Sequence, residues 1–210
     1  MKYTGYMLYL LVVFFLLSGC LPKTPHTLVP DYQSRIPLSI AVLPVQNETV
    51  DLDGPKAFRP KIFNTILSKG YVSPPTTGID HILAQKGIKE AGQLWALTPQ
   101  EIGNCLNVDA LLYSTVTSWN TKYLVVYSSI NVGARFQLID AKTGEQFWES
   151  KRSISEKRFG ADEEQMKSNL AFILLKRYEP YVDKVINSTL STLPNGPKYV
   201  QDKKGSCFGP

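Results

Sequence analysis

Between residues 38 and 190 the apolar positions change period several times, and each change predicts an element. "LSIAVLPVQN" (38–47) is a short, continuous apolar run bounded by Pro37 and Pro44, the signature of a buried strand. In 54–71, Phe58, Ile62, Phe63, Ile66 and Leu67 recur at helical spacing, and Gly70 after Lys69 supplies a stop. "YVSPP" (71–75) predicts a brief strand, and 78–88 a shorter helix ending near Gly87. "TPQEIGNCL" (98–106) opens with Thr98, Pro99 and Glu101, the spacing of a capping box with proline at the first helical position.

The period then shortens to two. Residues 108–119 read as a strand, Asn120-Thr121 as a turn, and 122–140 as a long strand. In that strand Leu124, Val126, Ile130, Val132, Ala134, Phe136 and Leu138 share one face. Gly144 in "DAKTGE" (140–145) suits a hairpin turn, and 146–155 completes an antiparallel meander. Residues 162–190 return to helical spacing with an acidic first turn and an interruption near Pro180. The order β-α-β-α-α-β-β-β-α predicts an α/β fold: a mixed sheet with a C-terminal antiparallel meander and helices packed on one face of it.

Ahead of this domain lies a different pattern. Met7–Leu17 is eleven consecutive apolar or aromatic residues, preceded by Lys2 and followed by Ser18-Gly19-Cys20. A bilayer span needs about 20 apolar residues, whereas 10–14 suit a signal-peptide core. Leu17-Ser18-Gly19-Cys20 resembles the bacterial lipobox, in which small residues admit the peptidase and the cysteine thiol carries a diacylglycerol. The expected organisation is a signal peptide (1–19), lipidated Cys20 with a proline-rich tether (20–37), an α/β domain (38–193) and a C-terminal tail (194–210). Residues 21–37 carry four prolines, which favour an extended tether. In Gram-negative lipoproteins, aspartate after the cysteine favours the inner membrane. Leu21 stands here, so the resemblance implies the outer membrane, with the domain facing the periplasm.

Charge adds little. The chain carries +5, or +4 without Lys2, spread along its length; this suits a solvated surface more than a dedicated anionic site, and no basic-aromatic motif points to nucleic acid. The only histidines are His26, in the tether, and His81, which lacks a second ligand at metal-binding spacing. No nucleophile elbow or phosphate loop occurs, and Glu163-Glu164 read as a helix first turn. The sequence therefore predicts no catalytic residue, no metal and no cofactor. With Cys20 acylated, Cys105 and Cys207 remain, and an oxidising compartment would allow a disulfide between them. A buried Cys105 and a loose Cys207 is the alternative.

Four segments carry a family resemblance: "SIAVLPVQNETVD", "NVDALLYSTVTSWNTKY", "FQLIDAKTGEQFWES" and "LPNGPKY". Over about 36–200 the chain resembles a GNA-type family of bacterial lipoproteins of unknown function. Its core is similar to the N-terminal domain of TolB and the periplasmic domain of CsgG. The resemblance implies a non-catalytic accessory or assembly role in an envelope or secretion complex, with a CsgG-type lipoprotein as partner and self-association possible. A periplasmic hydrolase or a glycan-binding module is the alternative. Aromatic residues on the meander, Trp119, Tyr123, Tyr127 and Trp148, weigh toward cross-strand packing over an interface. Alternation places Tyr123 and Tyr127 together, opposite the apolar face, as the candidate partner-binding residues.

Overall fold

The computed structural model describes residues 24–198 except 125, 161 and 175–177. Cys20 and Cys207 lie outside the described residues. In chain order the elements are β1 (His26–Leu28), a 3-10 turn at Tyr32–Ser34, β2 (Ile40–Val42), β3 (Gln46–Asn47), α1 (Asp53–Ser68) and α2 (Thr76–Gln85). A second 3-10 segment (Ala91–Ala96) precedes α3 (Pro99–Leu106), β4 (Ala110–Leu124), β5 (Tyr127–Asp140), β6 (Gln146–Phe159), α4 (Glu163–Leu174) and α5 (Glu179–Leu190).

One mixed sheet runs in the order β1-β6-β5-β4-β2, with β3 also on β4. β2 and β3 pair parallel to successive stretches of β4, and the strands from β4 through β6 to β1 are antiparallel. The mixed sheet and the meander match the expected fold class. The helices, however, cover both faces instead of one. Ile40 and Val42 join the cluster under α1 and α5, while Ala41 and Leu43 join a second cluster under α2 and α3. A strand buried on both sides must be apolar at every position, which explains the unbroken "IAVL".

Four further differences bear on the site. The strand expected over 38–47 splits into β2 and β3 around Pro44, which has no N–H for a ladder. "YVSPP" contributes only an isolated parallel bridge, Ser39 to Val72, before two prolines end the pairing. β4 runs through Asn120-Thr121 to Leu124, and β5 begins at Tyr127. Part of the expected tether is docked: β1 pairs with β6, and Tyr32 is buried, its ring edge-on to Phe147 at 5.9 Å.

Local signals explain much of the rest. At α3, Glu101 N donates to Thr98 Oγ1 (3.2 Å) and Thr98 N donates to Glu101 Oε2 (2.7 Å), closing the box on Pro99. The Thr98 N–H and hydroxyl, both donating to Glu101 Oε2, hold the Glu101 carboxyl below its ordinary range. Asp109 joins the parallel strands: its Oδ2 accepts from Leu38 N (3.1 Å), Ser39 N (3.0 Å) and Ser39 Oγ (2.8 Å). The "LPNGP" segment closes the far end. Gly196 N donates to Lys69 O (2.8 Å) and Tyr71 Oη donates to Pro194 O (2.7 Å).

Candidate functional site

The distal half of the meander is the candidate surface, and a β-bulge determines what it presents. Between Val116 and Ser118 the register of β4 shifts by one against β5, so Val116 and Trp119 both face α1. Trp119 is buried there, stacked on Tyr178 (4.3 Å) and edge-on to Phe58 (6.2 Å). Trp148 is also buried, and its Nε1 donates to Thr192 Oγ1 (3.1 Å). Both tryptophans are packing residues.

Beyond the bulge, parity in β4 is inverted. Tyr123 pairs with Ser128, and Leu124 pairs with Tyr127, which in turn pairs with Phe159. Cross-strand partners share a face. Tyr123 and Tyr127 therefore lie on opposite faces of the sheet, not together as alternation along one strand suggested. Tyr123 is exposed on the face that also carries Ile130 and, further along, Trp119. Tyr127 is half-buried with its ring 5.2 Å from Phe159.

The distal edges of the sheet are open among the described residues. β1 covers β6 only at Trp148–Ser150, leaving 151–159 paired on one side. β3 covers β4 only at Thr115–Val116, leaving 118–124 likewise. Such edges present backbone N–H and C=O groups to a further strand.

A second feature is a cleft of about 730 Å³ between α1 and α2, lined by Pro44, Pro60, Phe63, Leu83 and Ile88. Within it Arg59 and Asp80 form a two-pronged pair, with both N···O contacts at 2.7 Å, and Arg59 Nη2 also donates to Val42 O (3.2 Å). The pair ties α1, α2 and β2 together; the carboxylate faces a guanidinium, not a nucleophile. Neighbouring His81 is exposed on α2 with Gln85 Nε2 3.1 Å from its Nε2, a helix-surface position. His26 Nδ1 lies 3.1 Å from Thr24 O beside β1. Glu163 pairs with Lys167 (2.7 Å) in the first turn of α4. Among the described residues no three His, Cys, Asp or Glu side chains cluster as a metal site, and no helix is long and apolar enough to cross a membrane. Cys105 is half-buried on α3.

The relative NMB1124/NMB1162, a lipoprotein by description from Neisseria meningitidis serogroup B (strain ATCC BAA-335 / MC58), is 29% identical over 141 residues. That match covers 67% of this chain and 66% of the relative, just under two thirds of its length. The crystal structure of lipoprotein GNA1162 from N. meningitidis has a TM-score of 0.55 at 26% identity, covering 67% of this chain and 97% of that one. A PelC dodecamer from Paraburkholderia phytofirmans gives a TM-score of 0.46 at 18% identity over 83% of this chain and 95% of that one. The family model described as GNA1162-like lipoprotein matches residues 29–192. With most of the sequence inside that match, the chain belongs to the GNA1162-like lipoprotein family.

Proposed function

We propose that this lipoprotein is a non-catalytic accessory or assembly factor of the cell envelope, held at the outer membrane through lipidated Cys20 and facing the periplasm. In this reading it docks a partner protein, a CsgG-type export lipoprotein or a second copy, by strand addition at the distal sheet edges. The observation that supports it most directly is the open backbone of β4 at 118–124 and of β6 at 151–159. Tyr123, exposed on the β4 edge strand, is the protein-facing aromatic in this arrangement. Main-chain pairing would supply affinity and the flanking side chains specificity.

Two measurements test the two parts. Cys20→Ser removes the thiol that lipidation needs, so the protein should accumulate as precursor or leave the outer-membrane fraction; mature, membrane-bound Cys20→Ser protein would refute the anchor. A photo-crosslinker at Asn120, on the same β4 edge as Tyr123, should capture a discrete partner in intact cells. Tyr123→Ala should weaken that capture while moving the melting temperature little. Capture unchanged by Tyr123→Ala, or equal from an exposed position on α2, would refute docking at this edge.

A further inference from the structure

One face of the distal meander is organised in cross-strand rows. The outermost row is Leu124, Tyr127 and Phe159; the next is Lys122, Ser129 and Lys157. Inward of these come Asn120, Asn131 and Ser155, then Ser118, Gly133 and Ser153. The core cluster on this side takes nothing from β4 beyond Tyr113, nothing from β5 before Ile139 and nothing from β6. The rim is strongly apolar for an exposed position: Leu124 is 65% exposed, Phe159 73%, and Val126 at the turn 53%. Behind it stand two exposed lysines that no described carboxylate pairs, and none of these four rows contains Asp or Glu.

We infer that this end of the sheet docks on an anionic phospholipid surface, with Leu124, Val126 and Phe159 entering the headgroup boundary and Lys122 and Lys157 meeting phosphates. An apolar rim backed by unopposed cations is the chemistry of an interfacial anchor. The charge of the second row decides against a second copy of the chain, which would bring four lysines together. Chain direction supplies an independent argument, which rests on Cys20 being the anchor. β1 runs antiparallel to β6, with His26 opposite Ser150 and Leu28 opposite Trp148, so its upstream end points toward Phe159. Ser150 Oγ donates to Pro25 O (2.9 Å), holding that direction one residue further. The six residues Cys20 to Pro25 can reach about 20 Å at full extension. Ser150 to Phe159 is nine strand steps, about 30 Å. A fully extended linker thus ends about 10 Å short of the tip, close to the depth at which interfacial segments seat in a bilayer. The lipid anchor and the apolar rim are delivered to the same membrane.

The test uses the mature lipidated protein in two kinds of vesicle: phosphatidylethanolamine with a minority of phosphatidylglycerol, and phosphatidylcholine alone. Hydrogen exchange should slow about tenfold across 122–129 and 155–159 in the anionic vesicles only. Lys122→Gln with Lys157→Gln should remove that difference, and Leu124→Ser with Phe159→Ser should remove the protection. All variants should keep the wild-type circular dichroism. Equal protection in both vesicles, or none in either while the protein stays vesicle-bound, overturns the proposal. Protection that grows with protein density irrespective of lipid assigns the face to a second copy and equally overturns it. Protein that does not float with the vesicles reports failure of the anchor, which is a separate result.

Discussion

Helix α3 crosses the turn after β5 at Gly103, and replacing that glycine tests how tightly the second core cluster is closed. A methyl carbon at Gly103 would overlap Ala141 Cβ and come within 3.3 Å of Ala141 Cα. The turn cannot easily retreat, because Ala141 N donates to Asp109 O (2.9 Å) and Gly144 N to Asp140 O (2.9 Å). Two opposing effects then decide the sign. Alanine in a helix interior is favoured over glycine by about 1 kcal/mol. Overpacking a closed contact costs about 1–3 kcal/mol. With the overlap falling on a buried methyl group and backbone, packing wins, and Gly103→Ala should destabilise by about 1 kcal/mol. Removing the obstacle should reverse the sign. In an Ala141→Gly background the same substitution should stabilise by about 1 kcal/mol, a coupling near 2 kcal/mol. Guanidinium unfolding of the four proteins in this cycle, followed by circular dichroism at constant m, measures it. An equal effect of Gly103→Ala in both backgrounds would refute the contact.

Three other outcomes follow from the same geometry. Asp109→Ala strips an acceptor from two backbone N–H groups at the entry to β2 and should cost about 2–3 kcal/mol, with Asp109→Asn costing less; a midpoint shift smaller than that of Gly103→Ala would argue against the clamp. Burial pushes the Tyr32 phenol up to about 12 and Tyr71 higher still, their hydroxyls 2.9 Å apart, so folding holds both protons after the unfolded chain would release them near pH 10. These tyrosines should leave stability level from neutral pH to about 10 and make it fall as pH rises toward 12; the Tyr32→Phe/Tyr71→Phe pair should flatten the fall, leaving a slope from Tyr113 and Tyr181, both pushed to about 12, and an unchanged slope in that pair would refute the assignment. For the cysteines, a Cys105–Cys207 bridge predicts that denatured, non-reduced mature protein takes up no thiol label, and two labelled cysteines would exclude it.

What the sequence made legible was local or periodic. The capping box at Thr98 and Glu101, the glycine stops and the even-numbered apolar face of β5 all sit within a few residues of their structural effect. The unbroken apolar run in β2 also carries the two-sided burial, a signal that an arrangement with helices on one face leaves unexplained. The bulge at Val116–Ser118 had no such signature, because it arises from how β4 meets β5, not from a residue type. Asn120-Thr121 looked like a turn by composition, yet cross-strand pairing with Ile130 and Asn131 keeps it extended. Read as one strand, 122–140 carries Tyr123 and Tyr127 on one face; the hairpin between Leu124 and Tyr127 separates them, while the bulge decides which face meets α1. β1 was hidden for a related reason: its three residues make a strand only because β6, with partners 120 to 124 positions downstream, offers them an edge.

The docking of that short strand gives the fold a load path. If Cys20 is the lipid anchor proposed above, any pull on the body of the protein arrives along β1, parallel to its own axis. The ladder to β6 is then loaded in shear, all its hydrogen bonds at once, not opened one by one like a zipper. If β1 does slip, the slack ends a few residues later at Tyr32, whose buried ring and hydroxyl contact with Tyr71 lock the chain into the core. A chain so anchored would have a built-in stop at Tyr32, with force borne by the body of the domain.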